Sequence, residues 1–208
     1  GTENTAIGAL AIGTGVTTGN DNVAVGYAAG YNLTSGNSNV FVGRSSGVSV
    51  LTGVQNVALG YNSMGTANGS ESKNVAIGFN ALALMDSDGD NFNTAVGYEA
   101  GLAVTTGTRN TLVGGRAGDA LTTGVRNVAI GYAALSQEDA NSYNVAIGDS
   151  ALTQLNAGAD GYNVAVGYQA GTAMTTGDLN TIVGGLAGDS LTGGNNNVAI
   201  GYLALSAE

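Results

Sequence analysis

Apolar residues along this chain follow a short recurring figure. An asparagine is followed by Val or Thr, then usually Ala, then Ile, Val or Leu, then Gly, as in Asn127-Val-Ala-Ile-Gly131. The anchoring asparagines are Asn4, Asn22, Asn39, Asn56, Asn74, Asn93, Asn110, Asn127, Asn144, Asn163, Asn180 and Asn197, 17 to 19 residues apart. With the asparagine as position 0, position 4 is glycine in every unit, from Gly8 to Gly201. β-Branched residues two apart predict a short strand. Recurrent glycine and asparagine argue against a helix. Self-similarity at so short a period predicts a solenoid, in which each unit is one rung and buries its apolar face only against its neighbours. The expected fold is all-β: a parallel β-solenoid of twelve rungs, forming one domain over residues 1–208.

Position 2 carries the sharpest expectation. It points to the opposite side of the strand from positions 1 and 3. It is Ala in nine rungs and large in three, Phe41, Leu112 and Ile182. A strand apolar on both sides is expected to be buried on both sides. One side faces the solenoid core, and the other most simply faces another copy of the chain. We assign position 2 to that contact: Phe41, Leu112 and Ile182 as plugs near a threefold axis, with Ala24, Ala58, Ala76, Ala95, Ala129, Ala146, Ala165 and Ala199 as a narrow stripe between them. The opposite arrangement, position 2 inward and position 3 outward, would put an apolar residue in water in every rung.

Further along each rung, position 5 is aromatic in seven cases, Tyr27, Tyr61, Phe79, Tyr98, Tyr132, Tyr168 and Tyr202. Position 7 is Ala or Ser, and position 11 is often apolar again, as at Leu33, Val104 and Leu121. Glycines supply the corners, and the asparagines are expected to stack as a hydrogen-bonded ladder. The rungs also group in fours, giving blocks 1–21, 22–92, 93–162 and 163–208. The rung with a large position 2 lacks the aromatic at position 5, having Arg44, Gly115 or Gly185. This reads as volume compensation within a packed layer. The first two rungs of a block have Gly at position 8, and the last two have Met or Leu, as at Met64, Leu82, Leu135 and Leu152.

Charge and composition narrow the functional classes. Fifteen acids against five bases give a net charge of −10, which disfavours nucleic acid or an anionic membrane as partner. No apolar run approaches the roughly 18 residues that span a bilayer. Neither Cys nor His is present, which removes disulfides and the commonest metal ligands and bases. The pattern runs from Gly1 to Glu208 without a leader or initiator Met, so a fragment of a longer fibre or a processed product is expected.

Candidate chemistry is sparse. Asp86, Asp88 and Asp90 alternate as at the start of a calcium loop, but the sixth and twelfth places hold Asn91 and Gly97, where an EF-hand wants Gly and Glu. A polar turn is the expected reading. Glu138 and Asp139 are adjacent carboxylates in a loop that changes between blocks, a poor match to a glycosidase pair. With no Ser beside a recognisable base, no catalysis, cofactor or metal is expected. The loops Gly65–Lys73, Ala83–Phe92, Ser136–Tyr143 and Thr153–Tyr162 hold seven acids, Glu71 and Asp160 among them, and read as solvated edges.

The run Asn-Val-Ala-Ile-Gly at 74–78, 127–131, 144–148 and 197–201 resembles the head repeat of the YadA-like trimeric autotransporter adhesins. The departure is the period, 17 to 19 residues against the family's usual 14. The longer form looks like repeats of phage tail fibres. The resemblance implies a left-handed β-roll, three chains packed side by side, exposed on a virion or bacterial surface and binding a host-surface receptor such as a glycan. An ice-binding solenoid is the alternative, but its threonine array would be broken, since Thr-Thr occurs only around Thr17, Thr105, Thr122 and Thr175. A carbohydrate-processing tailspike is a further alternative that the placement of the acids does not favour.

Overall fold

The computed structural model describes residues 1–13, 17–67, 69–137, 140–158 and 160–206. Twelve three-residue strands follow in chain order: β1 (Thr5–Ile7), β2 (Val23–Val25), β3 (Val40–Val42), β4 (Val57–Leu59), β5 (Val75–Ile77), β6 (Thr94–Val96), β7 (Thr111–Val113), β8 (Val128–Ile130), β9 (Val145–Ile147), β10 (Val164–Val166), β11 (Thr181–Val183) and β12 (Val198–Ile200). They form one sheet in the order β1 to β12, every neighbouring pair parallel. Registers match the repeat position by position: Ala95 pairs with Leu112, and Leu112 with Ala129. At one parallel-strand spacing per rung, about 4.8 Å, the stack is about 53 Å long.

The interior is made of positions 2, 7, 8 and 11. Ala95, Ala100, Val104 and Leu112 are fully buried in one chain, as are their equivalents through the middle of the stack. This corrects the sequence-based placement of position 2. Phe41, Leu112, Ile182, Ala24, Ala58, Ala76, Ala95, Ala129, Ala146, Ala165 and Ala199 all point into the chain's own core, none more than 2 % exposed, and therefore do not form a contact between copies. The physical reason is the narrowness of a 17-residue coil. Its interior has room for alanine from the strand, or for a large strand residue where the opposite wall is glycine.

That opposite wall is position 8, which also corrects the compensation inferred from position 5. A Cβ on Gly101 would lie 2.7 Å from Leu112 Cδ1, and one on Gly118 2.8 Å from Leu112 Cδ2. Phe41 likewise fills the space above Gly30 and Gly47. In the last two rungs of a block the relation reverses: Met64, Leu82, Leu135 and Leu152 at position 8 are buried, and position 2 on the strand is alanine. The same interior volume is thus supplied from either wall.

The asparagine ladder is as expected, and it is continuous. The Asn127 backbone N–H donates to Asn110 Oδ1 at 2.9 Å, and the Asn144 N–H to Asn127 Oδ1 at 2.9 Å; the same link joins every pair of successive anchors from Asn4 to Asn197. Nδ2 then satisfies a corner carbonyl, as in Asn110 to Gly124 O at 2.9 Å. The corners contain a feature with no composition signal. Positions −1 and 6 are left-handed in every rung although neither is glycine, for example Arg109 (φ 60) and Arg116 (φ 58). Each costs about 1 kcal/mol relative to the right-handed region. The N–H groups so turned find carbonyls on the previous rung: Arg109 N–H reaches Asn91 O at 2.8 Å and Arg116 N–H reaches Tyr98 O at 2.8 Å. Glycine is required at position 4 for a different reason. Gly131 has φ 135, and a Cβ there would lie 2.4 Å from Gly148 O on the next rung.

Candidate functional site

Positions 1 and 3 point away from the core. In twelve rungs position 1 is Val or Thr and position 3 is Ile, Val or Leu, so these two rows carry no charge from β1 to β12. They are half-buried by their neighbours along the stack and open outward; Leu59 and Ile130 are exposed mid-stack. Two residues wide and about 53 Å long, the rows alone cover roughly 500 Å², as much as the largest apolar patch of a typical monomer.

Two exposed rows flank this face. Beyond the glycine corner lies position 5. Tyr61 stacks on Phe79 with centroids 5.2 Å apart, and Phe79 on Tyr98 at 5.3 Å. Arg44 lies between Tyr27 and Tyr61, its Cζ 5.5 and 6.0 Å from their ring centroids. The aromatic row is therefore stacked but not in the core: all seven position-5 rings are exposed. Where position 5 is glycine the row has gaps. A Cβ on Gly115 would meet only the Tyr132 ring, at 3.4 Å, and one on Gly185 only the Tyr202 ring, at 3.7 Å.

On the other flank lies position −1. Lys73 Nζ pairs with Asp90 Oδ2 at 2.5 Å and sits 5.1 Å from the Phe92 ring centroid. Arg126 Nη1 donates to the Tyr143 hydroxyl at 2.6 Å, and Tyr143 stacks on Tyr162 at 4.8 Å. Arg109 and Leu179 in the same row are exposed. Three of the five bases, Lys73, Arg109 and Arg126, stand in this one row. Sequence reading missed it because the residue types vary; the shared offset from the asparagine was the available signal.

The acids do not gather into a site. Asp88 Oδ1 accepts from Ser70 Oγ at 3.0 Å while Asp90 pairs with Lys73, and Asp86 is exposed. Among the described residues no three His, Cys, Asp or Glu side chains converge on a point that could hold a metal ion, and no pocket is found. Glu138 and Asp139 lie outside the described residues. Glu71 departs from the expected solvated edge: it is fully buried, and its Oε2 accepts the Gly69 N–H at 3.2 Å. Beside the Gly115 gap, Arg116 Nε lies 3.5 Å from Glu99 Oε2 and 3.4 Å from Asp119 Oδ2. Burial pushes the Asp119 carboxyl pKa up, partly opposed by Arg116. The threonine hydroxyls of a hypothetical ice face are engaged rung to rung: Thr105 Oγ1 donates to Thr122 O at 3.1 Å and Thr175 Oγ1 to Thr192 O at 2.8 Å. Among the described residues no helix is long and apolar enough to cross a membrane. Compared with protein-family models, with curated proteins and with solved structures, the chain matches none.

Proposed function

We propose that this chain is a rigid segment of an extracellular homotrimeric fibre, serving as an attachment rod or a spacer in the manner of trimeric adhesin heads and phage tail fibres. The carrying observation is the outward face of the sheet, apolar at positions 1 and 3 from one end of the stack to the other. The strand is apolar on both sides, as the sequence reading required, but the sides are exchanged: position 2 fills the chain and positions 1 and 3 meet the partner copies. Closed cyclic symmetry gives each chain the same contact. With its flanking rows the face is at most about 20 Å wide and about 53 Å long. That is roughly 1,000 Å² per chain, enough for a stable interface. The segment's contribution is shape and stiffness, with specificity for a host surface carried on exposed side chains and loops rather than in a pocket.

Sedimentation of the intact protein and one variant tests the reading. Unmodified protein should sediment as a trimer at micromolar concentration. Ile130→Asp, on the outward face, should leave a folded monomer, with the β-sheet circular dichroism retained. A monomeric unmodified protein overturns the proposal, and so does a trimer unaffected by Ile130→Asp.

A further inference from the structure

We infer that copies of this chain pack with the position −1 row of one against the position 5 row of the next, rung for rung, so that Leu179 of one copy enters the gap at Gly185 of its neighbour and Arg109 enters the gap at Gly115. This rests on the cyclic assembly proposed above and adds its register, its polarity and its specific contacts.

Symmetry supplies the first part. Rotation about an axis parallel to the stack leaves height unchanged, so each rung meets the same rung of the neighbour. The outer face runs from position −1 to position 5, about 20 Å at full strand extension. Three such faces arranged as walls of a triangular prism stand about 6 Å from the axis, which is the reach of the Val and Ile side chains at positions 1 and 3. At each edge of the prism, position −1 of one wall meets position 5 of the next.

The residues supply the second part. In β3, β7 and β11, the rungs with a large inward residue, positions −1 and 5 read Ser38 with Arg44, Arg109 with Gly115, and Leu179 with Gly185. A long residue on one flank always faces a small one on the other. The rungs on either side of each glycine gap carry exposed rings at position 5, Tyr98 and Tyr132 in one case, Tyr168 and Tyr202 in the other. Within the chain, Arg44 already occupies such a place between Tyr27 and Tyr61. Arg109 would find the same ring environment at Gly115, with Glu99 and Asp119 nearby and only Arg116 to offset them. Leu179, more than half exposed in the single chain, would find an apolar slot. Same-rung pairing elsewhere is chemically consistent: Arg126 would face Tyr132, and Tyr143 would face Asp149, a cation over a ring and a hydroxyl beside a carboxylate. Antiparallel copies would lose all of these matches.

The chain has no cysteine, so disulfide trapping reads the register directly. Leu179→Cys with Gly185→Cys places the two thiols on one rung but six residues apart along it, too far to join within a chain. Gly185 accepts a Cβ without a clash. Mild oxidation should convert the double variant to a covalent trimer on a non-reducing gel. The offset control, Leu179→Cys with Gly115→Cys, four rungs or about 19 Å apart, should stay uncrosslinked. A trimer by sedimentation that gives no same-rung crosslink overturns the pairing while leaving the trimer standing. A covalent dimer supports the pairing and overturns the threefold count. A monomer overturns both, and equal crosslinking of the offset control overturns the register.

Discussion

Leu112 offers the most decisive test of the core. It is fully buried, and its methyl carbons sit over Gly101 and Gly118. Leu112→Ala removes about three methylene equivalents, worth about 2.4 kcal/mol in transfer alone. The cavity left between two glycines adds to this, so a loss of about 3 to 4 kcal/mol is expected. Gly118→Leu alone should also destabilise, because its Cβ would stand 2.8 Å from Leu112 Cδ2. Together, the two changes reproduce the arrangement of the next rung, where Ala129 lies on the strand and Leu135 opposite. Leu135 has φ 55, so leucine is compatible with the left-handed backbone at this position. The double variant should therefore recover most of the loss, giving a favourable coupling of at least about 2 kcal/mol between sites in contact. Urea or thermal unfolding followed by circular dichroism measures all three variants. Additive losses would refute the claim that positions 2 and 8 fill one volume.

Three further outcomes are expected. Asn127→Ala removes an acceptor for the Asn144 N–H and a donor to Asn141 O, both buried, and should lower stability by about 3 kcal/mol; the same change at Asn4, at the exposed end of the stack, should cost less in the same thermal melt. Gly131→Ala should prevent folding, because its Cβ would be driven into Gly148 O, whereas Gly115→Ala should be tolerated; soluble yield and circular dichroism separate them. Asp119 has a raised pKa in the fold, so the folded chain holds its proton more tightly than the unfolded chain, and its stabilisation is full below the ordinary value of 3.8 and is lost as pH rises through the folded value. Asp119→Asn should flatten that part of the melting temperature against pH profile; an unchanged slope would show that Asp119 does not cause it.

The architecture was legible because each rung repeats the same few physical requirements. Asparagine recurs where a buried amide must bridge rungs, and glycine at position 4 where the next rung's carbonyl leaves no space. The direction in which position 2 points was not legible. Val, Ala and Ile are apolar on both sides, and nothing local to a three-residue strand distinguishes core from contact. The deciding information lay six residues downstream, in the alternation of Gly and Leu at position 8, whose partner only the coil's closure reveals. Arg109 and Leu179 were passed over for a related reason. Each is unremarkable in its own rung and acquires meaning only from the row formed by the rungs above and below.

The asparagine ladder also gives the rod an electrical sense. Each Oδ1 from Asn4 to Asn180 points toward the C-terminal end, where the next rung's N–H meets it. Strand N–H groups instead alternate in direction: Thr5 N–H reaches forward to Asn22 O and Gly26 N–H back to Ile7 O, so the backbone contribution largely cancels. The side-chain amides do not cancel. Eleven dipoles of about 3.5 D in line sum to at most roughly 40 D, negative toward the C-terminal end. Side-by-side parallel chains would add these dipoles, and an oriented sample of such rods should turn in an electric field as a vector with a defined tip, not merely as a cylinder.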